Sequence, residues 1–93
     1  MIICDFDDSR FGLEFEYSRI DDRDTTVAIL RTVPKTGRFY REQCPVFKHN
    51  SVTRDSRDSF VKANGRKAAI KKMLCGLPRA HRTAVWESYI NRK

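Results

Sequence analysis

Phe11-Gly12-Leu13-Glu14-Phe15-Glu16-Tyr17-Ser18 alternates with period two: the odd positions are apolar, while Glu14, Glu16 and Ser18 point the other way. Only a strand with one buried face reads this way, because successive side chains leave opposite sides of a pleated backbone. Upstream, Met1 to Phe6 forms a shorter strand with Ile2, Cys4 and Phe6 inward, joined through the turn residues Asp7-Asp8-Ser9-Arg10. Downstream, Asp21-Asp22-Arg23-Asp24 makes a second polar turn, and the β-branched stretch Thr26 to Val33 makes a third, more buried strand. Pro34-Lys35-Thr36-Gly37 carries a hairpin signal, since proline stops the strand and Gly37 supplies a positive φ. A fourth strand is expected from about Arg38 to Phe47, interrupted near Pro45 and lying at an edge because proline cannot donate to a ladder.

The period changes in the second half. His49 to Arg57 is polar and aperiodic, so residues 48–58 read as a loop. After a short turn holding Phe60 and Val61, Asn64 caps a helix expected over Gly65–Cys75, with Ala69, Ile70, Met73 and Leu74 as its apolar stripe. Gly76 falls where a left-handed C-cap belongs, Leu77 folds back onto the stripe, and Pro78 opens a second helix running to about Asn91. Val85, Trp86, Tyr89 and Ile90 form the apolar face of that helix. The expected fold is α+β: an antiparallel meander of three or four strands over residues 1–47, then a C-terminal two-helix hairpin over residues 59–92 packed on one face, in one domain of 93 residues.

Charge narrows the function. The net charge of +7 is unevenly placed: residues 1–24 hold eight acids and three arginines, and residues 25–93 hold sixteen basic residues and four acids. Such a layout suits a molecule that presents one face to a polyanion, the bland alternative being charges that interleave once the chain folds. The basic residues sit on several elements. Arg66, Lys67, Lys71 and Lys72 lie on the first helix, with Lys67 and Lys71 four apart on one side, and Arg54 and Arg57 lie in the loop. These six are the candidate binding residues. Arg82 precedes Trp86 by four and Tyr89 by seven, so arginine stacking on tryptophan is expected there beside ordinary core packing of both aromatics.

Other chemistries find less support. Asp5, Asp7 and Asp8 form the one acidic cluster suited to a divalent cation, but a two-metal hydrolase needs further converging ligands, and solvated turn acids explain them. There is no nucleophile elbow and no glycine-rich phosphate loop, and His81, the single helical candidate base, falls on the polar side of its helix as a solvent-exposed imidazole. Cys4, Cys44 and Cys75 are odd in number and widely spaced, which points to buried free thiols and away from a disulfide framework or structural zinc. No metal, cofactor or enzymatic activity is expected. A helix-turn-helix also fails, since with Gly76 in the turn Lys72 and Arg82 occupy positions needing a small and an apolar residue. No apolar run approaches the ~20 residues of a membrane span and no leader precedes the first strand, so the chain is expected to stay where it is made.

The segment Asn64-Gly65-Arg66-Lys67-Ala68-Ala69, followed by Leu77-Pro78, Arg82, Trp86 and Tyr89, resembles the C-terminal part of small accessory proteins of tailed bacteriophages. The likeness spans residues 58–92 and its motif reads as structural, so it transfers no functional residue. It implies a phage product acting in the bacterial cytoplasm on host machinery, a class whose assigned members include anti-CRISPR inhibitors of host defence and inhibitors of host transcription. The leading expectation is therefore a stoichiometric inhibitor or modulator docking on a host nucleoprotein complex. Direct DNA or RNA binding is the alternative, and a metal-dependent nuclease centred on Asp5 and Asp7 stands third.

Overall fold

The computed structural model describes residues 1–6, 9–35, 39–55 and 62–92. Four antiparallel strands in the order β1-β2-β3-β4 form one sheet: β1 (Ile2–Asp5), β2 (Arg10–Ile20), β3 (Arg23–Val33) and β4 (Val46–Asp55). Two helices follow, α1 (Lys62–Met73) and α2 (Arg79–Ile90), so the architecture is the expected α+β meander with a C-terminal helix pair.

The β2–β3 hairpin turns on only two residues, Asp21 and Asp22, at φ 51° and 58°. Positive φ at both central positions matches the right-handed twist of the flanking strands, and aspartate tolerates it better than most residues with a Cβ. The turn sets the register Leu13↔Leu30 and Phe15↔Ala28, which places these four residues on one face. On that face Cys4, Leu13, Ala28 and Leu30 are buried against Ala69, Ile70, Met73 and Leu74 of α1 and Val85 and Tyr89 of α2. Helix α1 lies over β3 and β4, and α2 lies over β1. The opposite face has its own small apolar group, in which Ile29, Val33 and Cys44 are buried. Met1 crosses this side of Gly12 so closely that a Cβ there would collide with its side chain.

The fourth strand departs from expectation. It begins at Val46 and runs on through residues 48–55, within the expected loop, and the segment before Pro45 holds only a turn of 3₁₀ helix, Arg41–Gln43. A tight hairpin at Pro34 is absent from the described residues, although β3 does stop at Val33; Thr36, Gly37 and Arg38 lie outside them. The reason is tertiary. Register with β3 puts Lys48, Asn50, Val52 and Arg54 on the helix side, where two of the polar groups serve the end of α1: Lys48 Nζ donates to the Cys75 carbonyl and Asn50 Nδ2 to that of Lys72. Side chains that satisfy the open carbonyls at the end of a helix need not be apolar. The expected edge position holds, and a bulge between Leu30 and Arg31 lets Thr32 N–H reach the Pro45 carbonyl at 2.9 Å.

Helix α1 starts before Asn64, which is thus inside the helix and not its cap, and it ends at Met73, ahead of the expected Cys75. Gly76 has φ +90°, as the left-handed cap requires, and Leu77 packs against the core. Pro78 caps α2.

Asp22→Gly should raise stability by about 0.5–1 kcal/mol, because glycine adopts positive φ without the Cβ penalty. Asp22→Val should lower it. Urea denaturation of both variants checks the pair of signs.

Candidate polyanion-binding site

Five ion pairs occur among the described residues, and every one lies within the sheet layer: Arg10–Asp5, Arg19–Asp24, Arg31–Glu14, Arg41–Glu14 and Arg41–Glu16. The central one is Glu14, whose side chain is 12% exposed between Arg31 at 3.2 Å and Arg41 at 2.6 Å. Arg41 is drawn further into its charged form by the Glu14 hydrogen bond and charge. Asp5 is held at 2.6 Å by Arg10, which occupies the carboxylate that a metal site would need; Asp7 and Asp8 lie outside the described residues. No group of three potential metal ligands occurs among the described residues.

The helical segment is different in kind. Residues 62–92 contain eight lysines and arginines and one acid, Glu87. Lys67 and Lys71 are exposed on α1, one helical turn apart, and enter no ion pair among the described residues. The other four candidates are not grouped with them. Lys72 is exposed but leans toward β4, where its Nζ donates to the Ser51 carbonyl at 3.1 Å. Arg54 is half-buried and lines a cavity of about 210 Å³ with Thr26, Val52, Gly65 and Ala68. Arg57 lies outside the described residues. Arg66 leaves the other flank of α1, where its Nη1 donates to Tyr17 Oη at 3.2 Å and its Nε to Tyr89 Oη at 3.0 Å; those hydroxyls, Tyr17 first, shift it further toward the protonated form.

Arg66 belongs instead to a second basic feature. A cleft of about 720 Å³ brings it together with Arg41 and Arg92 over a floor of Phe15, Phe39 and Met1. The Arg92 guanidinium lies 3.9 Å from the centroid of the Tyr89 ring, so the stacked cation is Arg92 on Tyr89. The expected pairing of Arg82 with Trp86 takes another form: both line a shallow groove on the outer side of α2 with Arg79 and Ile90. Sequence reasoning passes over Arg92 because it follows the last apolar residue of α2; its spacing of three from Tyr89 is the available signal. Tyr89 itself is core, only 2% exposed, as helical periodicity implies.

Two further expectations change. His81 is half-buried, its ring 4.6 Å from that of Phe6, because the end of β1 reaches under α2. Of the three free thiols, Cys4 and Cys44 are buried and Cys75 is exposed, since helix α1 has already ended when the chain reaches it. Burial pushes the Cys4 thiol up, against a smaller opposite effect of a hydrogen bond with Ser88.

Tyr89→Phe should cost about 1 kcal/mol in chemical denaturation, the net worth of the hydrogen bond lost by Arg66. Iodoacetamide should modify Cys75 rapidly in the native protein and leave Cys4 intact until the chain unfolds, as peptide mass mapping over time would record.

No protein-family model, no curated protein and no solved structure matches this chain.

Proposed function

We propose that the chain is a non-catalytic binding protein of a tailed bacteriophage that docks, through the basic outer side of its helices, on a nucleic-acid-handling complex of the bacterial host. The observation that carries this reading is the segregation of charge. Asp5, Glu14, Glu16 and Asp24 are engaged by arginines of the sheet and of the Arg41–Gln43 turn, and no lysine or arginine of the helices joins an ion pair among the described residues. Uncompensated lysines on a rigid helix supply the long-range attraction and the counterion release that phosphate binding draws on. Lys67 and Lys71 are the two residues assigned to that contact. Lys72, Arg54 and Arg66 are turned elsewhere and lie outside that contact.

A second reading is direct binding of free DNA or RNA. The outward side of α1 favours it, because Asn64, Lys67 and Lys71 offer polar contact with no apolar anchor of the kind a protein groove would grip.

The test is capture from bacterial lysate by the immobilised protein, compared with its Lys67→Glu/Lys71→Glu variant. The wild type should retain a nucleoprotein complex that the variant loses; equal retention by both would sink the assignment of these lysines. Free oligonucleotide binding measured across salt separates the two readings. Under the second, Lys67→Ala/Lys71→Ala should lower the slope of log affinity against log salt by about 2, uniformly across sequences.

A further inference from the structure

The geometry points to the open edge of β2 as a docking site for an extended, acidic segment of a partner protein, which adds there as a fifth strand.

The two sides of β2 are unequally covered. Along β3 it is paired throughout, from Arg10↔Val33 to Ile20↔Arg23. Along β1 the pairing stops at Ile2↔Leu13, and β2 continues to Ile20, so about 23 Å of edge runs on at ~3.3 Å per residue. The direction of the main-chain groups follows from the turn. A two-residue hairpin closes on a hydrogen-bonded pair, Ile20 with Arg23, and antiparallel pairs then alternate. Even-numbered residues of β2 therefore bond to β3, and odd-numbered ones face the β1 side. Two contacts agree with this phase: Phe6 N–H reaches the Ser9 carbonyl at 2.8 Å across the β1–β2 turn, and Thr32 N–H turns away from β2 to Pro45. Past Leu13, the amide and carbonyl groups of Phe15 and Arg19 are directed at the open edge.

The other edge of the sheet is treated differently. On β4 His49, Ser51 and Thr53 face outward, and at the middle one both main-chain groups are occupied: Asn50 Oδ1 accepts from the Ser51 N–H at 2.8 Å, and Lys72 Nζ donates to the Ser51 carbonyl. Side chains that cap edge groups, lysine above all, are how sheets resist unwanted strand addition. The β2 edge has no comparable cap at Phe15 or Arg19 among the described residues. It is also the floor of the cleft described above, where Arg41 approaches from one side of the sheet and Arg66 and Arg92 from the helical side.

That charge selects the occupant. Arg66 is bonded to neutral hydroxyls and Arg92 to a ring face and a carbonyl, so both keep an uncompensated positive charge beside the edge. Arg41 shares Glu14 with Arg31 and makes only a long contact with Glu16. A strand laid along β2 would point alternate side chains to the two sides, one facing Arg66 and Arg92 and the other facing Arg41 with its partners Glu14 and Glu16. Its acidic residues therefore belong on the helical side, while Phe15, Phe39 and Met1 give its apolar atoms a surface. Main-chain pairing supplies affinity, and carboxylates supply the match to the two uncompensated guanidiniums, Arg66 and Arg92. A nucleic acid would use the guanidiniums but leave the amides unpaired.

A fluorescein-labelled short peptide of alternating glutamate and valine, a lysine–valine counterpart, and oligothymidylate of equal charge test the idea against the full chain. The acidic peptide should bind, slow hydrogen exchange at the Phe15 and Arg19 amides by at least about tenfold, and leave Ser51 unchanged. Arg92→Glu should weaken it by about tenfold or more, and Arg19→Pro, which removes an outward N–H without touching the β3 ladder, should also weaken it. Thermal melts confirm that each variant is folded, and either one suffices. Failure of the acidic peptide to bind, binding without protection of those amides, or equal protection by oligothymidylate would overturn the proposal. Lys67 and Lys71 take no part in this site, so its failure and that of the helical surface are separately readable.

Discussion

The register of the β2–β3 hairpin is the constraint from which the rest of the molecule follows. Two aspartates at positive φ close it, and a slip of one residue would turn Glu14 and Glu16 toward the helices and expel Leu13 and Phe15 to the other side. Burial of Leu13 and Leu30 against the helices opposes that slip, since each buried leucine contributes about 1.5–3 kcal/mol relative to exposure. The half-buried Glu14 opposes it from the far face. Its pairing with Arg31 leaves Arg31 Nε and Glu14 Oε1 without a hydrogen-bond partner, poor geometry for a stabilising ion pair. The pair is better understood as a marker of register: a buried charge is tolerated where an opposite charge waits, and strongly disfavoured one residue away.

Once the faces are assigned, so are the charges. Glu14, Glu16 and Arg31 share the side of the sheet away from the helices, where the chain between β3 and β4 brings Arg41 to them. Four acids of the first 24 residues, Asp5, Glu14, Glu16 and Asp24, are thus paired with arginines outside the two helices. The lopsided charge distribution is cancelled only in part: Arg31 and Arg41 of the basic stretch join the acids of β2, and the helical cations stay out of ion pairs among the described residues.

Much of this order is legible in the sequence. Period-two alternation defines β1 and β2, β-branched residues mark β3, the Gly76-Leu77-Pro78 punctuation locates the break between helices, and the apolar stripes name the core residues Ile70, Met73, Val85 and Tyr89. β4 is hidden because Lys48, Asn50 and Arg54 face the helices as polar groups that reach across to α1, so the strand lacks the apolar alternation that would reveal it. The binding residues are legible only as a composition. Sequence spacing places Lys67 and Lys71 together correctly, but nothing local distinguishes a lysine left in solvent from Lys72, which is spent on a strand edge, or from Arg66, which is fixed by tyrosines 49 and 23 residues away.

The placement of the helices explains why the two sheet edges differ. Helix α1 runs along β3 and β4, so its flanking side chains reach the outer edge of β4 and close it at Ser51. Helix α2 contacts β1, but β1 has only four residues and stops opposite Leu13, so beyond that point α2 has no strand of its own beneath its C-terminal end. Tyr89 fills part of that space by packing its ring edge-on to Phe15, and Arg66 and Arg92 gather around its hydroxyl and its face. A longer β1 would have covered the β2 edge and left these arginines lining a closed sheet. The shortness of one strand, four residues against the eleven of its neighbour, is what places cations beside main-chain groups that still lack a neighbouring strand.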